Sequence, residues 1–251
     1  MYLEEILRTT MMRVKSLPRH FPAREDRPRS LAAAIGGVRR GGNAIIGELK
    51  YASPSGGRME CMLEPGALAQ DMVAGGACGI SVITEPSFFA GSTEYIRSVR
   101  TCADLPIMRK DFIIDDRQVL ETSYLGADAI LLIARVLRHE LARFVELSLQ
   151  SGLEPVVEVH DRGDLALALA TDALLVGVNN RDLATMHVDT STTVELSGIL
   201  RENGRKVISM SGIGSSDGIR RLKGSCDAFL IGTAIMRSMD PRKMVEEFVC
   251  A

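Results

Sequence analysis

Eight short apolar segments alternate with helical patterns along the chain, and this alternation predicts an α/β fold, a (β/α)8 TIM barrel with an N-terminal helical extension. Two further observations favour a closed barrel over an open sheet. The segments are nearly continuous in Ile, Val, Leu and Ala, as parallel strands under a helical layer are. The length of 251 residues also suits one barrel. The predicted strands are 44–49, 79–83, 107–109, 129–133, 155–159, 174–178, 206–210 and 228–231.

The first 43 residues do not follow this repeat. A helix-like segment, MYLEEILRTTMMRVKSL, leads into the Pro- and Arg-rich stretch PRHFPAREDRPRS and then into a second short helical pattern. We therefore predict one barrel domain over residues 1–251, in which residues 1–43 form the N-terminal helical extension. Composition leaves two roles open for this extension, which are to close the bottom of the barrel or to cover the active-site mouth.

Charge and cysteine content exclude several classes of protein. The formal net charge of -2, from 30 basic and 32 acidic residues, gives no broad attraction to nucleic acid or to an anionic membrane. Glu4 and Glu5 stand where a secretory signal needs positive charge, and the apolar stretch 129–134 is far shorter than the roughly 20 residues of a membrane helix. The five cysteines form no CxxC pair, and the four histidines have no ligand spacing. We expect a cytoplasmic protein without a metal ion.

Charged side chains occur at the ends of predicted strands one, three and five, where a (β/α)8 barrel places its catalytic groups. Glu48 and Lys50 alternate onto one face of strand one, and Lys110 follows strand three. Glu158 is flanked by valines in strand five. Because an unpaired carboxylate buried there costs several kcal/mol, we expect Lys110 to be its charged partner across the barrel interior.

The ends of the last three strands offer groups that bind anions and hydroxyls. Strand six runs into Asn179 and Arg181, which supply an amide and a guanidinium. Strand seven is followed by SGIGS, which contains Gly212, and strand eight is followed by Gly232 and Thr233. Backbone N–H groups at the starts of the following helices bind phosphate in many barrels. The sequence therefore predicts a local phosphate site at these two loops.

Eight segments of the chain resemble the indole-3-glycerol phosphate synthase family, in that family's order and spacing. They lie between Ala44 and Met236 and read IIGELKYASPSGG, FFAGSTEYI, LPIMRKDFIID, ADAILLIARVL, PVVEVH, GVNNRDL, SGI and LIGTAIM. The resemblance implies a lyase of tryptophan biosynthesis that needs no redox cofactor. Its phosphorylated small-molecule substrate would be 1-(2-carboxyphenylamino)-1-deoxyribulose 5-phosphate, which is closed to an indole with loss of carbon dioxide and water. An association with other tryptophan-pathway enzymes stays open.

The resemblance also implies a role for each matching residue. Lys110 would be the general acid of ring closure, and Glu158 would stabilise the cationic intermediate or take its proton. Glu48 and Lys50 would serve the later dehydration, and Asn179 would orient the reacting groups. The remaining predicted site residues are Ser53, Phe89, Phe112, Leu131, Arg181 and Ser211 for substrate binding, and Gly212, Gly232 and Thr233 for phosphate binding.

Two positions depart from the family pattern. The family usually has a Glu before the Ser-Gly that follows strand seven, where this chain has Met210, and a basic residue where this chain has Tyr51. Met210 keeps a second interpretation open, which is a noncatalytic or altered phosphate-binding TIM barrel. Another phosphate-binding barrel, phosphoribosylanthranilate isomerase, would use a strand-one Cys and a strand-six Asp. Strand one here supplies Glu48 and Lys50, and strand six ends in asparagines.

Overall fold

Eight parallel strands form a closed barrel in the computed structural model, which describes residues 2–24, 26–54, 56–59, 63–183 and 185–251. Each strand pairs with its neighbours in sequence, and the last strand pairs with the first. The predicted barrel is confirmed, and no predicted strand end differs from the observed one by more than one residue. The strands are β1 (Ile45–Leu49), β2 (Gly79–Ile83), β3 (Ile107–Lys110), β4 (Ala129–Ile133), β5 (Glu154–Val159), β6 (Leu175–Asn179), β7 (Lys206–Met210) and β8 (Ala228–Ile231).

Helices connect the strands and surround the barrel. Several begin at a side-chain cap, as where Asp115 accepts from the backbone N–H of Arg117. No helix in these described ranges is long and apolar enough to cross a membrane. The helices are α1 (Tyr2–Lys15), α2 (Leu31–Gly36), α3 (Pro65–Ala74), α4 (Pro86–Phe89), α5 (Glu94–Cys102), α6 (Asp116–Tyr124), α7 (Ala134–Leu137), α8 (Leu141–Gln150), α9 (Arg162–Leu169), α10 (Ser191–Glu202), α11 (Ser216–Leu222), α12 (Thr233–Arg237) and α13 (Pro241–Val249).

A short antiparallel pair of strands, Ala52–Ser53 with Gly57–Arg58, follows β1 and is called the β1 hairpin below. The barrel itself alternates its side chains between two apolar layers. Along β1, Ile45 and Leu49 pack towards the surrounding helices, whereas Ile46 packs with the barrel interior. The interior is filled by buried apolar side chains, which include Ile46, Met108, Ala129, Val156, Leu175, Ile208 and Ala228. The charged strand ends therefore stand above an apolar floor.

The N-terminal extension contacts both ends of the barrel. Leu31 and Ile35 of α2 belong to the interior core, at the end where the strands begin. A Cβ on Gly79, the first residue of β2, would lie 2.8 Å from Leu31 Cδ1, so glycine makes room for this helix. Tyr2, Leu3 and Ile6 of α1 instead line the cavity at the carboxyl ends of the strands. The extension thus fills both roles that composition left open, with a different helix for each.

Asp128, immediately before β4, fastens the segment between α1 and α2 to the barrel. Its buried carboxylate accepts hydrogen bonds from Arg24 Nη2 at 2.7 Å, from the Arg29 backbone N–H at 3.0 Å and from the Ile107 backbone N–H at 2.8 Å. It also forms an ion pair with Arg100 of α5. One carboxylate therefore joins the extension, β3 and α5.

We predict that Asp128→Ala lowers the free energy of unfolding by about 3–5 kcal/mol, because the largely buried Arg100 loses its counterion and Arg24 keeps only its pairing with the half-exposed Asp26. Asp104→Ala is the matched control. Asp104 also pairs with an arginine of the extension, Arg29, but its side chain is 90% exposed, so its loss should cost about 1 kcal/mol or less. Urea unfolding of the three proteins measures both effects. Equal losses of unfolding free energy in the two variants would show that the buried ion pairs of Asp128 stabilise the fold no more than the exposed pair of Asp104.

Candidate active site

A cavity of about 520 Å³ opens at the carboxyl ends of the strands. All fourteen residues that the sequence singled out line it, although they come from all eight strands and the segments that follow them. The structure thus brings the predicted residues together, whereas the roles given to them stay predictions. The fourteen are Glu48, Lys50, Ser53, Phe89, Lys110, Phe112, Leu131, Glu158, Asn179, Arg181, Ser211, Gly212, Gly232 and Thr233.

Glu48 stands between two lysines at one side of the cavity. Its Oε2 lies 3.2 Å from Lys50 Nζ, and its Oε1 lies 3.7 Å from Lys110 Nζ. Burial of this side chain raises the pKa of the carboxyl, but the charges of the two lysines outweigh burial and hold the pKa below its usual value. Glu48 is therefore a carboxylate at neutral pH that organises both ammonium groups.

Glu158 does not have the partner that the sequence suggested. It accepts a hydrogen bond from Asn179 Nδ2 at 3.0 Å, while Lys110 pairs with Glu48. The expected Lys110–Glu158 pair is therefore wrong, because the adjacent strand β6 supplies a donor nearer than any group across the barrel. Within the described part of the chain Glu158 forms no ion pair. Its negative charge faces the cavity with an amide as its hydrogen-bond donor.

Asn179 is oriented by the chain that follows it. Its Oδ1 accepts from the backbone N–H of Arg181 at 3.0 Å, which leaves Nδ2 to donate to Glu158. Its backbone carbonyl contacts Nδ1 of His160 at 2.7 Å. Arg181 in turn donates from Nη1 to the carbonyl of Met186 at 3.0 Å. The loop after β6 therefore fixes the amide in the orientation that serves Glu158.

One part of the cavity, which we call the glycine corner, is bordered by Lys50, Gly212, Gly232 and Thr233. Lys50 Nζ donates to Thr233 Oγ1 at 2.9 Å. A Cβ on Gly232 would lie 2.4 Å from Glu48 Oε2, so position 232 has no room for a side chain. Gly212 has a left-handed backbone with φ of +79°, which favours glycine. Backbone, an ammonium group and a hydroxyl thus border this corner.

The cavity wall around Phe89, Phe112 and Leu131 is apolar, in contrast to the polar glycine corner. The two rings have centroids 6.3 Å apart and are tilted by 37°. Phe89 ends α4, whose first N–H groups are capped by the carboxylate of Glu85, with a distance of 2.7 Å to the N–H of Phe88. An aromatic group of a ligand would find apolar and aromatic contacts on this wall.

Asp111, directly after β3, pins the N-terminal helix to this rim. Its Oδ1 accepts from Arg13 Nη2 of α1 at 2.7 Å and from the backbone N–H of Phe112 at 2.8 Å. Its Oδ2 accepts from Thr84 Oγ1 at 2.7 Å and from Arg109 Nη2 at 3.1 Å. Burial raises the pKa of Asp111, but the two arginines outweigh it and the pKa is below its usual value.

Sequence reasoning missed several cavity residues. Glu85 was detectable as a carboxylate just before Pro86, which is typical of a helix start. Arg237 lies one helical turn after Thr233, and this spacing places both on one face of α12. The residues missed include Tyr2, Leu3, Ile6, Glu85, Asp111, Leu183 and Arg237. Across the described ranges, no three His, Cys, Asp or Glu side chains are grouped as metal ligands.

Comparisons with known proteins agree on one family. The model of a family described as indole-3-glycerol phosphate synthase matches residues 3–248. The chain is 37% identical to the indole-3-glycerol phosphate synthase of Carboxydothermus hydrogenoformans over 98% of each chain. It is 40% identical to that of Thermococcus kodakarensis over 82% of this chain and 92% of the relative. The tryptophan synthase alpha subunit of Legionella pneumophila aligns with a TM-score of 0.62 at 10% identity, over 87% of this chain and 96% of that one, which shows a shared fold alone.

We predict that Arg13→Met lowers the free energy of unfolding by about 1–3 kcal/mol at pH 7, because Asp111 loses a charged hydrogen-bond donor. The pKa of Asp111 is lower in the folded protein than in the unfolded chain. The stabilisation is therefore complete above the unfolded value near about 4 and is lost as pH falls through the folded value. Urea unfolding between pH 7 and pH 3 should show the difference shrinking in acid. Arg8→Met, on an exposed position of α1, should change little; a pH-independent loss for Arg13→Met would contradict the ion pair.

Proposed function

Because the chain belongs to the indole-3-glycerol phosphate synthase family, we propose that it converts 1-(2-carboxyphenylamino)-1-deoxyribulose 5-phosphate to indole-3-glycerol phosphate in tryptophan biosynthesis. The observation that carries this proposal is that Lys50 and Lys110 both pair with the carboxylate of Glu48. This cluster lines a cavity that also has an aromatic wall and the glycine corner. The substrate has three matching parts, which are an aromatic ring, a ketone and a phosphate.

Ring closure requires a proton at the ketone oxygen while the aromatic carbon that bears the carboxylate attacks the ketone carbon. Lys110 is the general acid in this proposal, because its ammonium group lines the cavity and is held by Glu48. The attack leaves a positive charge on the former aniline part. Glu158, whose carboxylate has an amide donor and no ion pair within the described residues, stabilises that charge.

The later steps restore aromaticity. Loss of carbon dioxide returns an electron pair to the six-membered ring and makes it aromatic again. Loss of water then forms the carbon–carbon double bond of the five-membered ring. Dehydration needs an acid for the departing hydroxyl and a base for the remaining proton. Lys50 and Glu48, 3.2 Å apart, are the pair we assign to these two roles. Asn179 holds Glu158, and Arg181 holds Asn179 through its backbone N–H.

The two ends of the substrate have matching surroundings. We place its phosphate at the glycine corner, where Gly212, Gly232 and Thr233 would surround it and Lys50 would contribute charge. Its aromatic ring would contact the apolar side chains of Phe89, Phe112 and Leu131. Ser53, whose hydroxyl accepts from the Gly56 N–H at 3.0 Å, and Ser211 would line the space around the ring and chain.

The wider setting is part of the same proposal. The family match over residues 3–248 supports one barrel domain that includes residues 1–43 as its extension. We propose that the enzyme works in the cytoplasm without a redox cofactor, since neither ring closure nor loss of carbon dioxide and water changes the oxidation state overall. An association with other tryptophan-pathway enzymes is tested by size-exclusion chromatography of the purified proteins, alone and mixed.

Met210 supports the second candidate function, a noncatalytic or altered phosphate-binding barrel. Its side chain is buried and packs over β6, since a Cβ on Gly177 would lie 2.3 Å from Met210 Cε. An apolar group therefore occupies a position where the family usually has a carboxylate. Incubation of the purified protein with the substrate, followed by indole fluorescence, separates the candidates. No product above the uncatalysed rate would favour the noncatalytic barrel.

We predict that Lys110→Met lowers kcat about 10²–10⁴-fold, which is the usual contribution of a general acid. KM should change little, because the phosphate and aromatic contacts remain. The rise of indole fluorescence measures both constants. Lys243→Met, on an exposed position of α13, removes the same charge far from the assigned groups and should leave kcat unchanged. A variant with near-normal kcat would remove Lys110 from its assigned role.

We predict that Met210→Glu moves the acid limb of kcat/KM to higher pH. A third carboxylate beside Glu48 and Glu158 disfavours their charged forms and raises their pKa values, so activity is lost earlier on acidification. Met210→Gln, which has similar size and no charge, should keep the wild-type limb. The pH dependence of kcat/KM for the three proteins checks this. Identical profiles would show that position 210 does not couple to the catalytic carboxylates.

A further inference from the structure

Arg237 ends α12 at the rim of the glycine corner. It lines the cavity, and it follows Thr233 by four residues, which places the two side chains on one face of the helix. Its guanidinium also packs against the β1 hairpin. A Cβ placed on Gly56 would lie 3.4 Å from Arg237 Nη2 and 2.9 Å from Ser53 Oγ. The guanidinium therefore reaches from α12 to the hairpin at the edge of the cavity.

The lysines and glutamates of the cavity leave the negative charge of a bound phosphate without a matching cation. Lys50 and Lys110 share the single carboxylate of Glu48, and Glu158 adds a second negative charge. These four groups sum to zero. Of the other charged residues that line the cavity, Asp111 is paired with Arg13 and Arg109, Glu85 caps α4, and Arg181 is held by the loop after β6. A phosphate ester brings about -1.5 to -2 charges at pH 7. The corner therefore needs a further cation to hold a phosphate dianion well.

Among the described residues, no carboxylate pairs with Arg237. Its side chain is exposed, and within the described residues it forms no ion pair. Arg181, the other arginine that lines the cavity, likewise has no ion pair among the described residues, but its Nη1 donates to the carbonyl of Met186, which holds it on the loop after β6. A guanidinium presents two parallel N–H donors to a phosphate, which suits a group at the rim of an anion site.

We propose that Arg237 binds the substrate's phosphate from the α12 side and makes the site selective for phosphorylated compounds. By spanning to Gly56, the same side chain holds the β1 hairpin against the bound phosphate. This inference rests on the proposed function, because it concerns the phosphate of that substrate. The competing interpretation is that Arg237 only packs against the hairpin, in which case its loss changes stability and leaves anion affinity alone.

Binding of inorganic phosphate tests the proposal without any need for turnover. The dissociation constant is obtained from the rise of Tm with phosphate concentration. Arg237→Gln should weaken phosphate binding about tenfold, a typical loss for one charge-assisted contact. The phosphate affinity of Arg237→Lys should lie between those of the wild type and Arg237→Gln, because lysine keeps the positive charge but lacks the two parallel N–H donors of the guanidinium. Arg58→Gln is the matched control, since Arg58 is an exposed arginine of the same hairpin that does not line the cavity.

Turnover provides the second readout. In Arg237→Gln the KM for the phosphorylated substrate should rise about tenfold with kcat nearly unchanged, whereas inhibition by the dephosphorylated substrate should stay as in wild type. Unchanged phosphate affinity in Arg237→Gln would overturn the proposal, as would equal weakening in Arg237→Gln and Arg58→Gln, which would indicate only a long-range field. If the wild-type protein shows no turnover, the proposed function fails, and the phosphate titration still decides the role of Arg237.

Discussion

The arrangement of the cavity depends on one buried carboxylate. Glu48 binds Lys50 through one oxygen and approaches Lys110 with the other, so a single charge positions the two cations that face the interior. Its Oε2 also lies so near the β8 loop that position 232 must be glycine. Loss of this carboxylate would leave two ammonium groups close together in a partly buried site, where their repulsion is poorly screened. The two lysines and the glycine corner therefore both depend on the position of this one carboxylate.

The barrel and the membership of the cavity could be predicted from sequence for a clear reason. Parallel barrel strands are apolar on both faces, so each one stands out as a short continuous run between polar helix boundaries. All the strands also point the same way, which brings their carboxyl ends to one rim. Once Glu48, Lys110 and Glu158 were placed at strand ends, their convergence followed from topology without any knowledge of side-chain conformation.

Side-chain partners could not be predicted in the same way. Whether Lys110 meets Glu158 or Glu48 depends on the reach of individual side chains over a common rim, which strand order does not encode. Asn179 satisfies Glu158 only because the backbone N–H of Arg181 fixes the orientation of its amide. Arg237 escaped notice because it follows the recognisable glycine loop by a full helical turn. The two positions of the N-terminal extension were likewise beyond composition, because neither the amphipathic pattern of α1 nor the apolar sequence of α2 indicates which end of the barrel the helix covers.

The extension also links two regions of the barrel that are normally considered separately. In most (β/α)8 enzymes the closed end governs stability and the open end governs activity. Here one continuous segment seals the closed end through α2, is anchored at Asp128 and then borders the open end through α1. The floor and the mouth of the barrel are therefore built in part from the same stretch of chain, with the Asp128 anchor between them. A truncation of the extension before α2 would consequently remove α1 from the cavity wall together with Arg24 and Arg29, which bind Asp128, so the shape of the mouth and the anchoring of the extension are lost in one step.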